Sequence, residues 1–417
     1  MSDAHLDHRG RPRVAVTGMG VKTPAGTDVD TFWATMLAGT PKAGPIQAFD
    51  VAEQPVKFAC EVTDFDPVPY FGPKESRRLD RVAQLGVSAA IDAHTDAGDL
   101  NADPARCAVI ASTGIGGLNT LQENCEIFFE RGPSRVSPFF VPMMMPNATA
   151  GMISIKYGWT GPALCIATAC AAGTNAIGEG ARLIRDGTSD IVLAGGTEFP
   201  ITQITLAAFA RMGALSKRAD DPASASRPFD ADRDGFVIAE GAAFFVLEPL
   251  ERAQARGARI YGEVAGYGRN ADAFHITAPS EGGVGAAACM HQALDDAGLD
   301  PAAIGHVNAH GTSTELNDLA ESQAIRKVFG DAAPPVTSNK GVFGHMIAGA
   351  GAAEAVVSLL SIRDGVAPPT ANFERLGDDI DLDIVHGDPR EVGAKPVISN
   401  SFGFGGHNAS LVLTASG

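Results

Sequence analysis

Ala163-Leu-Cys-Ile-Ala-Thr-Ala-Cys170-Ala-Ala-Gly-Thr-Asn-Ala-Ile177 and, a little further on, Ile191-Val-Leu-Ala-Gly-Gly196 decide the fold class of this chain. The stretch opens on a short apolar run, Ala163 to Ala167. Behind it, Ala172, Ala176, Ile177, Leu183 and Ile184 recur at helical spacing between Ala171 and Gly187. Ile191–Ala194 is a second apolar run, and Gly195-Gly196 reads as its stop, the signature of a buried strand. A strand or turn that feeds a helix and returns to a buried strand predicts an α/β fold with largely buried sheets.

The same signature recurs on both sides. Arg13–Thr17 runs into Gly18-Met-Gly20, and Ala108–Ser112 into Thr113-Gly-Ile-Gly-Gly117. Ala242–Leu247 and Tyr261–Tyr267 read as strands, and Gly285–Ala297 as a helix closed by Gly298. Further strands are expected near His306–Ala309, Val336–Ser338, Val397–Ser401 and Ser410–Leu413. A charged helical stretch, Leu250–Arg259, lies between two portions of comparable content. It carries no Pro- or Ser-rich linker, so the portions are expected to pack as one body. The first dozen residues are expected to fray.

Bulk composition narrows the function. Of 417 residues, 45% are hydrophobic and 19% charged, an ordinary globular balance with an ample core. The formal net charge of −17 argues against whole-surface attraction to nucleic acid or anionic lipid. Six cysteines occur without a CxxC pair or a Cys/His ligand spacing, which argues against structural zinc and a disulfide scaffold. The first residues are polar, unlike a signal peptide, and no uncharged apolar run is long enough to span a membrane. A reduced, soluble, cytoplasmic protein is expected.

Three residues carry candidate chemistry. Cys170 precedes a helix, where unpaired N–H groups and the helix dipole favour a thiolate. The plain alternative is a buried structural cysteine, and for Cys165, inside the apolar run, packing is the better reading. His310 ends the apolar strand Val307-Asn-Ala-His310, and His345 lies in Lys340-Gly-Val-Phe-Gly-His345. Both stand where a strand gives way to a turn of small residues, so each can project into a pocket. Singly each histidine reads as structural; together with Cys170 they supply a nucleophile and two neutral donors. Lys340 and Glu354 are either a surface ion pair or a pair that sets the protonation of the histidines. Ser399–Asn408 interleaves glycines with Phe402 and Phe404, as an ordinary turn or as a gate with N–H groups facing an oxyanion.

Taken together, these segments resemble the elongating β-ketoacyl–acyl-carrier-protein synthases, type II class, over nearly the whole chain. Matching stretches include Val16-Thr-Gly-Met-Gly20, Thr113-Gly-Ile-Gly-Gly117, Ser137-Pro-Phe-Phe-Val-Pro142, Thr168-Ala-Cys170, Ala194-Gly-Gly-Thr-Glu198, Ser226-Arg-Pro-Phe-Asp230, Asn308-Ala-His-Gly-Thr-Ser-Thr314, Gly344-His345 and Ser401-Phe-Gly-Phe-Gly-Gly406. The resemblance implies a thiolase-like duplicated fold of five layers, αβαβα, with residues 1–255 carrying the nucleophile and residues 256–417 the histidines. It implies an acyl chain on Cys170 and decarboxylative Claisen condensation with malonyl-ACP in fatty-acid or polyketide elongation. His310 and His345 would stabilise the enolate, supported by Lys340 and Glu354. The N–H groups of Cys170 and Phe404 would form the oxyanion hole, and Phe404 would gate the pocket beside Phe402, Gly403 and Gly405.

The same resemblance implies that Thr312 and Thr314 contact phosphopantetheine. Ile115, Phe209 and, from a neighbouring subunit, Phe140 and Val141 would line the acyl tunnel. Lys74, Arg77 and Arg78, with Arg81, match the basic segment that meets an acidic carrier protein; apart from the resemblance, Arg131 and Arg135 could extend the patch. No metal or separate cofactor is required. The expected partners are an acyl carrier protein and a second copy, or a related subunit in a heterodimer. Glu315-Leu-Asn-Asp318, Gly341-Val-Phe343, Gly213 and Met143-Met-Met145 depart from the housekeeping pattern. They leave open a copy for specialised metabolism, an antibiotic-insensitive copy or a chain-length partner. A thiolase needs a second late cysteine, and none follows Cys289; a starter-type synthase carries Asn where His345 stands.

Overall fold

The computed structural model describes residues 3–416. Ten strands among them join in one continuous sheet built from two equivalent halves. The first half holds β1 (Val14–Lys22), β2 (Cys107–Ser112), β3 (Ala163–Leu164), β4 (Ile191–Glu198) and β5 (Gly241–Pro249). The second holds β6 (Gly262–Ala271), β7 (His306–Asn308), β8 (Val336–Thr337), β9 (Val397–Gly403) and β10 (His407–Thr414). The halves run 1-5-4-2-3 and 6-10-9-7-8, the same order twice, and meet where β1 pairs briefly with β6 at Ala15–Glu263 and Val16–Gly262. Antiparallel and parallel pairings also match: β1/β5 and β6/β10 are antiparallel, β2/β4 and β7/β9 parallel.

Helices fill the layers between and outside the sheets. α1 (Arg81–Ala97) covers the outer face of the first half and α3 (Val284–Ala297) that of the second, with α4 (Glu315–Phe329) beside it. α2 (Ala172–Arg185) and α5 (Ala348–Asp364) lie between the two halves of the sheet. α5 is buried around its whole circumference from Ala348 to Ile362, as a helix in a central layer must be. The expected αβαβα architecture is therefore present.

Glycine placement explains how the layers close, and it corrects one expectation. Gly18-Met-Gly20 does not stop the first strand; β1 runs through it to Lys22. A Cβ on Gly18 or Gly20 would lie 2.1 Å from the carbonyl oxygen of Ala93 or Ala89 on α1. Gly266 and Gly268 stand in the same relation to Ala293 and Cys289 on α3, again at 2.1 Å. In each half, then, helix backbone rests directly on strand backbone, and a methyl group would force the layers apart. β4 likewise continues past Gly195-Gly196 to Glu198, because a Cβ at Gly196 would meet the Ala348 carbonyl oxygen at 2.1 Å.

Two further expectations change. The helical stretch after β5 covers only Leu250–Ala255 and ends before Gly257, whose φ is +68°. Residues following Asp3 are pinned rather than frayed: Arg9 and Arg11 donate to the Asp296 carboxylate at 3.2 and 2.8 Å, and Arg185 does so at 2.8 Å from the core side. Met1 and Ser2 lie outside the described residues.

His306, at the start of β7, is fully buried, and its Nε2 lies 2.8 Å from the Thr337 hydroxyl. Burial pushes its pKa down to about 3. A group whose folded pKa is depressed below its unfolded value, and which is neutral when deprotonated, contributes stability that is present above about pH 6.5 and lost as pH falls. Between pH 7 and 5 this one ring is expected to cost about 2 kcal/mol. Denaturation midpoints at the two pH values, compared with a His306→Gln variant, check it: the variant loses less.

Candidate active site

Cys170 lies in the single 3-10 turn Ala169–Ala171 that leads into α2. The turn is strained: Ala169 has φ +49°. Cys170 is buried, and its Sγ is 3.1 Å from Nε2 of His345. The backbone N–H groups of Phe404 and of Cys170 itself both reach the sulfur. Gly403 makes that approach possible, since a Cβ there would meet Cys170 N at 3.0 Å and the Thr168 carbonyl oxygen at 2.8 Å. Ser399–Asn408 includes the tight turn of a hairpin, as the plainer of its two readings had it: β9 ends at Gly403, β10 begins at His407, and Phe404-Gly405-Gly406 join them.

His310 follows β7, and His345 precedes α5 after the short helix Lys340–Phe343. The two rings stand nearly perpendicular, 81° apart with centroids at 5.4 Å. The Cys170 sulfur and one nitrogen of each ring lie within 4.8 Å of one another. Residue Ile347, between His345 and α5, has φ +45°, a conformation costly for a β-branched side chain.

Lys340 and Glu354 are fully buried and form an ion pair, so the surface reading is overturned. The Lys340 ammonium also donates to the His310 carbonyl at 2.5 Å and lies 3.3 Å from His310 Nδ1. An ammonium has only hydrogens to offer, so Nδ1 accepts and the ring proton sits on Nε2, toward Cys170. His345 Nδ1 is buried and has no hydrogen-bond partner among the described residues, so only the Nε2 contact with Cys170 bears on the tautomer of that ring.

The electrostatics differ from the sequence expectation at the nucleophile. Burial pushes the Cys170 thiol up to about 11, against the pull of Lys340 and of the two N–H groups. The helix end therefore does not leave a standing thiolate. Burial, then the Lys340 charge, holds His345 well below its ordinary range, and His310 likewise. The resting site is a neutral thiol with two neutral imidazoles. Three donor atoms so close could ligate a soft metal ion, but the Lys340 charge that keeps protons off both rings opposes a metal cation there too.

A cavity of about 540 Å³ opens at this point. Cys170, His310, His345, Phe402, Gly403 and Phe404 line it together with Ile115, Phe209, Thr312 and Thr314. Phe404 packs against Phe209 at 6.4 Å, and Phe402 stands edge-on to His310 at 6.0 Å. Gly405 is outside the lining, and its N–H donates to the Ile276 carbonyl at 2.7 Å. Phe140 and Val141 lie outside this cavity; Val141 is 54% exposed. Leu316 and Asn317, two of the departing positions, stand at its mouth.

Lys74, Arg77 and Arg78 are exposed near the end of the helix Val68–Ser76, and the Arg78 guanidinium covers the ring of Phe139 at 4.6 Å. Arg131 and Arg135 are exposed as well. Arg81 leaves this group, because its guanidinium binds the buried Glu240 at 2.9 Å. Cys165 is half-buried on the sheet edge beside exposed Ala163 and Leu164, not in the core.

Two buried carboxylates were not anticipated as parts of the site. Glu321 on α4 accepts the His310 and Gly311 N–H groups, both at 2.8 Å, and so fixes the backbone of the histidine turn. An acidic residue on the buried stripe of α4, three positions after buried Asp318, was the available signal. Glu198 ends β4 beneath the cavity wall; it had been noted only as part of a motif.

Fold and site together place the chain among the thiolase-like condensing enzymes. The comparisons with known proteins are more specific. Residues 11–253 match the family described as "Beta-ketoacyl synthase, N-terminal domain" and residues 261–374 the corresponding C-terminal domain. The chain belongs to the β-ketoacyl synthase family. It is 45% identical over 409 residues to the 3-oxoacyl-[acyl-carrier-protein] synthase 2 of Synechocystis, covering 97% of this chain and 98% of that one. It is 44% identical to the Coxiella burnetii protein of the same name, covering 96% and 98%. Among solved structures, the ishigamide ketosynthase/chain length factor aligns with TM-score 0.92 at 36% identity, over 98% of this chain and 100% of that one. A type II polyketide ketosynthase in complex with its acyl-carrier protein aligns with TM-score 0.89 at 33% identity, over 97% and 100%.

Proposed function

We propose that the protein elongates acyl chains by decarboxylative condensation with malonyl-ACP, and that Cys170, His310 and His345 carry the reaction. The observation that carries this reading is the convergence of the buried Cys170 sulfur and one nitrogen each of His310 and His345 within 4.8 Å of one another, with His345 Nε2 at 3.1 Å from the sulfur. In the first half-reaction the Cys170 sulfur attacks the acyl thioester. Its proton passes to His345 Nε2 and on to the departing pantetheine thiol, while the N–H groups of Cys170 and Phe404 hold the oxyanion. The neutral resting pair fits this step, because the thiol is deprotonated only as it attacks.

In the second half-reaction malonyl-ACP loses CO2. The enolate oxygen accepts from His310 Nε2–H, whose proton Lys340 holds in place, and from His345 once its ring carries the proton on Nε2. The enolate carbon attacks the Cys170 thioester; the carbon–sulfur bond breaks, and Cys170 recovers a proton through His345. Every proton moves among these residues, substrate and solvent, so no metal or further cofactor enters the scheme. Thr312 and Thr314 hold the phosphopantetheine arm, and Phe404 with Phe402, Gly403 and Gly405 forms the gate.

Lys74, Arg77 and Arg78 meet an acidic acyl carrier protein, since they stand clustered on a chain of net charge −17. A second, identical or related subunit covers the exposed edge strand β3 and brings Phe140 and Val141 to the neighbouring acyl tunnel. Residues 1–255 and 256–417 are the two halves, a division supported by their matching strand orders. All six cysteines are free, as a reducing cytoplasm would keep them, and no described helix is long and apolar enough to cross a membrane.

Incubation of the pure protein with a panel of acyl-ACPs, followed by malonyl-ACP, tests the reading. The expected result is an acyl mass gain on the wild type and none on Cys170→Ala, then a β-ketoacyl-ACP two carbons longer. No mass gain from any carrier-bound donor would overturn it. Acylation without product unless a related subunit is added would favour the heterodimeric, specialised-metabolite reading, to which Leu316 and Asn317 at the cavity mouth point.

A further inference from the structure

Glu198 is a fully buried carboxylate for which the reaction scheme above has no use. Four donors face it. The Thr113 hydroxyl donates at 2.6 Å, the Gly114 N–H at 2.7 Å and the Ile115 N–H at 3.3 Å, and the Ala348 N–H is directed at the carboxylate and favours its charge. Thr113 Oγ1 already accepts from the Gly116 N–H at 3.1 Å, so its own proton points at Glu198. Burial raises the Glu198 carboxyl to about 7, against the pull of these donors. It is therefore an anion over the range in which the Cys170 thiol, pushed up to about 11, ionises.

These donors come from two places that matter for catalysis. Gly114 and Ile115 begin the segment that lines the acyl cavity. Ala348 opens α5, whose N-terminus has no side-chain cap of its own and directly follows His345, Met346 and Ile347. Glu198 therefore sets a carboxylate against the N-terminus of α5, where the helix dipole favours negative charge. Gly114 is wedged between the parts: a Cβ there would lie 2.9 Å from Glu198 Oε2, 3.2 Å from the Ile347 side chain and 3.5 Å from Ala169 Cα.

We propose that Glu198 is a positioning residue for the condensation: its carboxylate ties the acyl-cavity wall at Ile115 to the helix turn after His345, and so holds both against Cys170. It acts a second time through its field. Its negative charge opposes ionisation of the Cys170 thiol, alongside the opposite pull of Lys340. The other titratable groups around the site are the neutral rings of His310 and His345, the buried Glu354 and Glu321, and Asp234, Asp272 and Glu315 on the cavity lining. The inference rests on the condensation reading, and one of its two measurements does not need that reading to hold.

The test compares wild type, Glu198→Gln and Glu198→Asp in kcat, in KM for malonyl-ACP and in the pH dependence of Cys170 alkylation by iodoacetamide. Glu198→Gln is expected to lose on the order of 10²-fold in kcat through misplacement of His345, with KM nearly unchanged. Its alkylation midpoint is expected to move down by about one pH unit, because a negative charge has been removed. A thiol that ionises more readily in a slower enzyme is not what simple loss of packing produces. Glu198→Asp keeps the charge but not the reach, so its kcat falls while the midpoint stays. Wild-type kcat in Glu198→Gln, or an unmoved midpoint, overturns the proposal. If Glu198→Gln does not fold, Glu198→Asp decides: wild-type kcat overturns, reduced kcat at the wild-type midpoint supports. Absence of condensation in the wild type would sink the function instead, and the Gln alkylation midpoint would still decide the role of the charge.

Discussion

A His310→Ala variant is expected to load an acyl group onto Cys170 at close to the wild-type rate, yet to release CO2 from malonyl-ACP roughly 10²- to 10³-fold more slowly. The geometry separates the two half-reactions. His345 Nε2 and the N–H groups of Phe404 and Cys170 serve the sulfur directly. His310 is the ring held by Lys340, through its carbonyl and Nδ1, with its remaining N–H pointed into the cavity. Removing it deletes one preorganised donor to the enolate and leaves the acylation set whole. Intact mass after acyl-ACP measures the first step, and labelled CO2 from malonyl-ACP the second. Equal losses in both would mean that the histidines do not divide the work this way.

The second large effect concerns stability. Lys340→Met is expected to destabilise the fold by about 3–5 kcal/mol, because it strands Glu354 as a buried charge without a partner. Both groups are wholly buried, so solvent screens nothing. Burial already holds the Glu354 carboxyl up at about 7, with Lys340 pulling it back. A carboxyl raised above its unfolded value stabilises fully below the unfolded pKa and loses that contribution as pH rises through the folded one. The variant is accordingly more stable at pH 5 than at pH 8. Lys340→Met/Glu354→Leu is expected to recover most of the loss, since an apolar pair of similar volume replaces a buried ion pair at little cost. Condensation stays impaired in the double variant, because His310 Nδ1 has lost the donor that set its tautomer. Urea midpoints at two pH values, with turnover of the same samples, check all three statements.

How much of this was legible in the sequence depended on the kind of signal. Strand positions were legible because fully buried strands are short runs of Val, Ile, Leu and Ala, as in Ile191–Ala194. Strand ends were not. Gly18, Gly20, Gly195 and Gly196 looked like stops, but they are the points where a helix or its carbonyl lies on the sheet. A turn and a close approach both require the absence of Cβ, so local sequence does not distinguish them. Cys170, His310 and His345 were legible as a set through their turns of small residues, and the structure brings all three together. The burial of Lys340 and Glu354 was invisible, because it is decided by the layers packed around them. The apolar run at Cys165 was misplaced for the converse reason: it sits on a sheet edge that the chain alone leaves uncovered.

Ala169 and Ile347 flank the reacting groups, and both hold a backbone conformation that glycine would adopt freely. Each carries a conformational penalty of roughly 1–3 kcal/mol that the surrounding fold must overcome. A protein engineer ranking positions by thermal tolerance would therefore choose Ala169 for glycine, and would select enzymes that survive heat while their nucleophile wanders; at Ile347 the buried side chain, worth about 2–5 kcal/mol, outweighs the strain and keeps the residue in place. Ala169 marks where improvement by stability alone and improvement by turnover pull in opposite directions.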